Sequence, residues 1–546
     1  MHPLATEITP DQRAAELKSA AARALCIGIA VTLGFSGVSV QLVRLALKGQ
    51  AKVTIASVDV PRNMFSRPDI VDRNGRLLAA DIAIPTLFAD PSQIISVDET
   101  LEKLSLFYPG IDTRLNRLAL SNRKRKYHQL KRPVAPAKAQ HIHALGLPGI
   151  DFKQEVKRSY PAGRVAGHIL GHVNGKNEGQ TGIERFLNGN PGVTRVHAAR
   201  VNTSAPLRLA VDMRALFGLQ AELATAMEKF RAAAAVGIVV DVENGEIPAA
   251  ASLPGVDPSN ASEIVDRTRR NRLADDAFEL GSVFKPFTLA MALETGVAQP
   301  GARINVAEPL KVGRFELKDP PRSKKWLSLS DVFVLSSNVG AAVLAQAVGR
   351  DRQRSFLAKL GLLAAINQAD VKTTSPRVPR YWGAAETMTI AYGHGLAVAP
   401  LQFAVASAAL VNGGYAITPT FLLRQHGEQS PRRPVLEPQT SAAIRKMMRR
   451  NVLHGTGRSA DVPGYRVGGK TGTADVAGQQ GYDGKSVVTS FLGAFPIDHP
   501  RYVLLVTLFD PMPEASKKER TAARNAAPTA GRIIARLAPI LGVKPQ

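Results

Sequence analysis

Twenty consecutive residues without a charge, Ala24 to Val43 (ALCIGIAVTLGFSGVSVQLV), constrain this 546-residue chain more than any other feature. A helix of that length spans about 30 Å at 1.5 Å per residue, which is the hydrocarbon thickness of a bilayer. Arg23 and Arg44 bracket it. A cleavable signal peptide has a shorter apolar region and a small-x-small site after it. Here Leu42-Val43-Arg44-Leu45 follows, so the stretch reads as an uncleaved transmembrane anchor, with a buried core helix as the competing reading. Arg13, Lys18 and Arg23 precede it, and Arg44, Lys48 and Lys52 follow it. The positive-inside rule is therefore nearly silent on orientation, although long downstream regions translocate regardless of local charge. The expected order is a cytoplasmic tail (1–23), an anchor (24–43) and a large exported remainder.

Seventy Lys and Arg against 45 Asp and Glu give a net charge of +25, which favours anionic partners such as nucleic acid, acidic lipid or an anionic polymer. The cations are spread along the chain, and the densest run, Arg123 to Lys126, reads as a solvated face. No zinc-finger spacing or RNP-like aromatic cluster supports a nucleic-acid reading. Cys26 is the only cysteine, which excludes an internal disulfide and a cysteine-based metal site. His168 and His172 sit four apart, but no H-E-x-x-H glutamate lies between them and Gly171 interrupts the helix, so no metal is expected there.

Downstream of the anchor, residues 44–205 read as an elongated, strand- and turn-rich pedestal; Asn74-Gly75 between apolar stretches marks a hairpin. From about 206 the texture changes. Leu216, Leu219, Leu223 and Met227 recur at helical spacing, and AAVGIVVDVENGEIPAAASLP follows as strand, Asn-Gly turn and strand. Late strands at 486–496 and 501–510 and a closing helix near 521–538 complete the pattern. Helices around a mainly antiparallel sheet make residues 206–546 an α+β domain.

Chemistry concentrates in ELGSVFKPFTLA (279–290), where Ser282 and Lys285 form an S-x-x-K pair. Ser121 and Lys124 fit the same pattern, but that lysine belongs to a run of four cations with nothing to desolvate it. Val283, Phe284, Pro286 and Phe287 surround Lys285 with apolar surface. Burial disfavours a charged amine, and a neutral lysine deprotonates a neighbouring serine. Ser282 is expected to open a helix, where an N-terminal hydroxyl is favoured and the helix field stabilises an alkoxide. Ser336-Ser337-Asn338, 54 positions after Ser282, supplies an S-x-N, and Lys470-Thr471-Gly472, 134 positions after Ser336, a K-T-G. Each triplet is weak alone. All three in order make a strong signal.

The chain thus resembles the class B penicillin-binding proteins, and more narrowly the division-specific (FtsI-type) peptidoglycan transpeptidases. DRNGRLLA, YPAGRVAGHILGHVN, GQTGIE, VVDVENGEIPAAAS, YGHGLAVAPLQFAVASAALVNGG, HGTGRSA and VGGKTGTA carry the likeness over nearly the whole chain after the first twenty residues. The resemblance implies a penicillin-binding transpeptidase domain on a pedestal of the dimerisation type. Ser282 would attack the penultimate D-alanine of a stem peptide ending in D-Ala-D-Ala, with Lys285 as base, Ser336 as proton relay and Asn338 orienting the substrate amide. Lys470, Thr471 and Thr473 would bind the terminal carboxylate from an edge strand, Gly472 would admit substrate backbone, and the N–H groups of Ser282 and Thr473 would form the oxyanion hole. No metal or cofactor is needed. β-Lactams should acylate Ser282. An FtsW-type SEDS glycosyltransferase and other divisome membrane proteins would be partners, at the bacterial inner membrane with the catalytic domain periplasmic. Leu280 stands where the family usually has proline.

Four other readings share these residues. A serine β-lactamase lacks the anchor and pedestal and needs a deacylating glutamate that 345–385 does not supply clearly. A D,D-carboxypeptidase would use water as acceptor. An elongation-type relative would differ in cellular role. A non-catalytic divisome scaffold would not need Ser282, Lys285 and Asn338 intact.

Overall fold

YVLLVTLF and AAVGIVVD are charge-free runs of aliphatic residues up to the last Asp, the composition of strands buried on both faces. In the computed structural model both are buried along their whole length. Five strands, β1 (Ala234–Asp241), β2 (Ala249–Leu253), β3 (Gly468–Gly478), β4 (Gly481–Phe495) and β5 (Tyr502–Phe509), pair antiparallel in the order β3-β4-β5-β1-β2. Register is set by pairs such as Lys470↔Leu492, Phe491↔Val506 and Leu505↔Ile238. The K-T-G residues therefore lie on an edge strand. Asp241 shapes the expected Asn-Gly turn between β1 and β2, accepting from the N–H groups of Glu243 (2.9 Å) and Asn244 (3.3 Å).

The structure describes residues 22–23, 25, 28–29, 31–39, 41, 67–189, 206–312, 315–320, 325–425, 428, 430–478, 481–513 and 519–546. Residues 1–21 of the tail, much of the expected anchor, Cys26 and the segments 42–66 and 190–205 lie outside them. Residues 31–39 are helical, with Leu33, Phe35 and Val38 exposed. Among the described residues no helix is long and apolar enough to cross a membrane.

Residues 67–84 and 156–546 form one unit and residues 85–155 another. In the larger, helices α1 (Met213–Phe230), α2 (Lys285–Glu294), α3 (Asn338–Val348), α4 (Pro438–His454) and α5 (Ala526–Ile540) surround the sheet. Gly237 lets α1 settle on β1, because a Cβ there would sit 2.8 Å from Leu219 Cδ1. Glu222 on α1 pairs with Arg532 and Arg536 on α5. The same unit holds a buried ionic cluster in which Glu184 meets Arg67 and Arg158, each at 2.7 Å, and Arg158 also meets Asp81 at 3.2 Å. Glu184 comes from the GQTGIE segment. The Asn74-Gly75 turn forms as expected, with Gly75 at φ +83° and Ile70 opposite Ala79.

The smaller unit wraps helices Val97–Ser105, Arg114–Ser121 and Pro136–Ala144 around Leu87, Leu101, Leu104, Leu120 and Ile142. Ser96 and Thr113 cap the first two helices by accepting from N–H groups three residues on. Ser121 ends the second helix with its hydroxyl donating to the Arg117 carbonyl at 2.8 Å, and Arg123 to Lys126 are exposed.

Candidate active site

Apolar packing decides where Lys285 goes. Phe284, Phe287 and Phe403 form an aromatic cluster with centroids 5.3–6.0 Å apart, and Lys285, held among these elements, is fully buried. The pair is presented differently from the sequence expectation. Ser282 sits inside a 3₁₀ turn, Gly281–Phe284, and the α-helix begins only at Lys285, with no side-chain cap. Ser282 is therefore not a capping hydroxyl. Its Oγ is turned to its own lysine.

Lys285 Nζ is ringed by four acceptors: Asn338 Oδ1 at 2.6 Å, Ser282 Oγ at 2.7 Å, and Ser336 O and Oγ at 3.1 Å each. Two of these, the Asn338 and Ser336 carbonyl oxygens, never donate. A neutral amine has two N–H groups and one lone pair. With its N–H groups on those carbonyls, the lone pair is left for a serine hydroxyl, which is the geometry a base needs.

Ser336 Oγ links the two lysines, lying 3.1 Å from Lys285 Nζ and 3.0 Å from Lys470 Nζ. Lys470 is fully buried and also donates to Thr471 O at 2.9 Å. Burial pushes its ammonium down to about 7. Ser336 has φ +54°, the left-handed region that costs a non-glycine residue about 1–3 kcal/mol and clusters at functional sites.

Asp319 fixes that turn. One carboxylate oxygen accepts from the N–H groups of Asn338 (2.8 Å) and Val339 (3.3 Å), and the other accepts a short bond from Ser337 Oγ. Ser337 Oγ also accepts from Gly340 N at 2.9 Å, capping α3. Asp319 thus anchors the helix start that carries Asn338.

Glycine lets the edge strand close on the nucleophile. A Cβ at Gly472 would lie 2.5 Å from Leu280 O and 2.8 Å from Val283 N. The missing side chain makes room for the Ser282 turn. Gly281, at φ +62°, faces Thr473 O, and a Cβ on Gly393 would meet Gly281 O at 2.0 Å. Glu279 holds the YGHG loop by accepting from Gly395 N at 3.0 Å. Leu280, in place of proline, is buried in the core.

A cleft of about 720 Å³ opens over Ser282, Ser336, Thr471 and Thr473, with Thr456 and Arg458 also lining it. Thr456 Oγ1 is 2.5 Å from Thr471 Oγ1, and Asn451, fully buried, ties the preceding turn to Gly469 O at 2.8 Å. All eight expected site residues thus converge, six of them through the hydrogen bonds and cleft just described and Gly472 by close packing, while Asn338 reaches the group through Lys285. Asp319, Asn451, Thr456, Glu279 and Arg458 were not singled out in sequence. Only HGTGRSA, already part of the resemblance, held a signal for two of them. A larger cavity of about 770 Å³, lined by residues including His168, Phe186 and Lys372, contains none of the eight expected site residues. His168 bonds the Arg269 carbonyl and His172 the Thr181 hydroxyl. Among the described residues no group of three or more His, Cys, Asp or Glu side chains is placed to hold a metal ion.

Comparison with known proteins agrees with this geometry. Residues 235–535 match the penicillin-binding protein transpeptidase domain and residues 65–198 the penicillin-binding protein dimerisation domain. The chain is 37% identical over 489 residues to the probable peptidoglycan D,D-transpeptidase FtsI of Caulobacter vibrioides, covering 88% of this chain and 82% of that one. It is 31% identical over 483 residues to the peptidoglycan D,D-transpeptidase FtsI of Escherichia coli K12, covering 83% and 81%. The apo transpeptidase domain of penicillin-binding protein 3 from Burkholderia pseudomallei superposes with a TM-score of 0.56 at 28% identity, covering 62% of this chain and 97% of that domain. The chain belongs to the penicillin-binding proteins, as a class B member of the FtsI type.

Proposed function

We infer that the chain is a serine-type peptidoglycan D,D-transpeptidase that cross-links stem peptides in septal wall synthesis and is acylated by β-lactams. The observation that carries the reading is the hydrogen-bonded series Ser282 Oγ, Lys285 Nζ, Ser336 Oγ and Lys470 Nζ, each step 2.7–3.1 Å, under an open cleft. Lys285 takes the Ser282 proton as Oγ attacks the penultimate D-alanine carbonyl. Ser336 passes a proton to the departing D-alanine amine, so the peptide bond breaks as the ester forms. Asn338 holds Lys285 and orients the substrate amide. The N–H groups of Ser282 and Thr473 stabilise the oxyanion, and losing one such donor costs about 3–4 kcal/mol. An amine of a neighbouring stem peptide then takes the acyl group and releases Ser282.

Fluorescent penicillin should label the wild-type chain and fail to label Ser282→Ala; a labelled variant would sink the assignment. A donor peptide supplied with an amine acceptor should yield cross-linked dimer, whereas release of D-alanine alone would favour the carboxypeptidase. The same reading places the chain in the bacterial inner membrane through 24–43, with the catalytic unit periplasmic. The uncharged run and its small residues Gly34 and Gly37 support close approach to a partner helix, which we assign to an FtsW-type SEDS polymerase. Replacing both glycines with leucine should reduce co-purification with that polymerase, and unchanged recovery would count against the pairing.

A further inference from the structure

A substrate carboxylate needs a cation that faces the cleft, and Lys470 does not. It is fully buried, and its Nζ is engaged by Ser336 Oγ and Thr471 O. Around neutral pH it also carries only part of a charge, since burial holds it near 7. Its place in the fold is behind the reacting serine, in the proton path.

Arg458 has the opposite character. It is exposed, lines the same cleft as Ser282, Thr471 and Thr473, and its guanidinium has no ion-pair or hydrogen-bond partner among the described residues. The other charged pair lining that cleft, Arg524 and Glu519, is engaged with itself at 3.9 Å. Among the described residues lining the cleft, Arg458 is therefore the cation left unpaired. The turn that presents it is rigidly held. A Cβ on Gly455 would meet Asn451 Oδ1 at 2.3 Å, Asn451 donates to Gly469 O beside Lys470, and Thr456 bonds the Thr471 hydroxyl. Arg458 follows Thr456 by two residues, so the same contacts register it against the K-T-G strand. A guanidinium remains charged at every physiological pH and offers two parallel donors to a carboxylate.

Resting on the transpeptidase reading, we propose that Arg458 is the specificity-determining cation that binds the carboxylate of the donor stem peptide, and of a β-lactam in its place. Thr471 and Thr473 then supply neutral hydroxyl donors to the same group. Lys470 is left to polarise Ser336.

The test compares benzylpenicillin with its methyl ester, which lacks the anionic carboxylate, on the full chain and on Arg458→Gln. Hydrogen bonds to charged groups are worth enough for a roughly 10- to 100-fold fall in the second-order acylation constant with benzylpenicillin. The ester should react equally with both proteins, and Arg458→Lys should recover part of the loss. An equal fall for acid and ester, or no fall for the acid, overturns the proposal. Ser282→Ala is run alongside: labelling that persists there defeats the transpeptidase reading itself, whereas its absence with an unaltered Arg458→Gln defeats only this inference.

Discussion

Asp319→Ala is the perturbation that best separates the architecture of this site from its chemistry. The carboxylate touches no reacting atom, yet it receives Ser337 Oγ, Asn338 N and Val339 N at the start of α3. Losing a helix cap costs about 0.5–2 kcal/mol, and a hydrogen bond to a charged group is worth about 1.5–3 kcal/mol. The adjoining Ser336 is held at φ +54°, so a loosened turn has a less strained conformation to relax into. Three of the four acceptors around Lys285 Nζ, Ser336 O, Ser336 Oγ and Asn338 Oδ1, belong to that turn. If about 2 kcal/mol of positioning is lost in the transition state, acylation slows by roughly 30-fold. Asp319→Asn keeps one acceptor oxygen and should lose less. The assay is the second-order rate of labelling by fluorescent penicillin, with a thermal melt to show that the variant is folded. A folded Asp319→Ala chain that acylates within about twofold of wild type would refute the reasoning.

Three further outcomes follow from particular contacts. With its folded value near 7 and its unfolded value at 10.5, Lys470 binds more protons in the unfolded chain between those limits. The cost of burying its charge is thus full below pH 7 and relieved as pH rises, by about 1.4 kcal/mol per pH unit at most. Unfolding free energy measured at about pH 7.5 and 8.5 should rise more for wild type than for Lys470→Met, and equal changes would contradict this. Gly472→Ala forces a Cβ to within 2.5 Å of Leu280 O, so it should destabilise by about 1–3 kcal/mol and slow acylation at least tenfold; a variant with wild-type kinetics would show that the strand has slack. Glu184→Ala leaves the guanidinium groups of Arg67 and Arg158 buried without their shared carboxylate, which should cost about 3–5 kcal/mol in a denaturant titration.

What was legible in the sequence was chemistry with a local signature. Ser282 and Lys285 were recognisable because four apolar neighbours enclose the lysine, and that enclosure is realised as complete burial. Strands β1 and β5 were legible as charge-free, largely apolar runs up to the last Asp, the part of β4 from 486 onward as a late strand, and α1 as a periodic stripe. What escaped was information carried by approach in space. Nothing in FELKDP marks Asp319 as the acceptor that anchors the start of a helix at Asn338, nineteen positions later. A triplet such as Lys470-Thr471-Gly472 does not say that Lys470 will be buried against Ser336 or that Gly472 will pack on the Ser282 turn. The 3₁₀ turn at Ser282 was hidden for the same reason. A hydroxyl preceding an apolar helix has the composition of a cap even when it is held for another use.

The glycine contacts around Ser282 carry a consequence for how susceptibility to penicillin could drift in this lineage. At Gly281, Gly393 and Gly472, backbone lies against backbone with no clearance for even a methyl group. Replacement at those three positions damages the native reaction along with the response to the drug. Heritable change that spares wall synthesis is therefore steered away from the nucleophile and toward the rim of the cleft, which the 519–524 stretch helps to line.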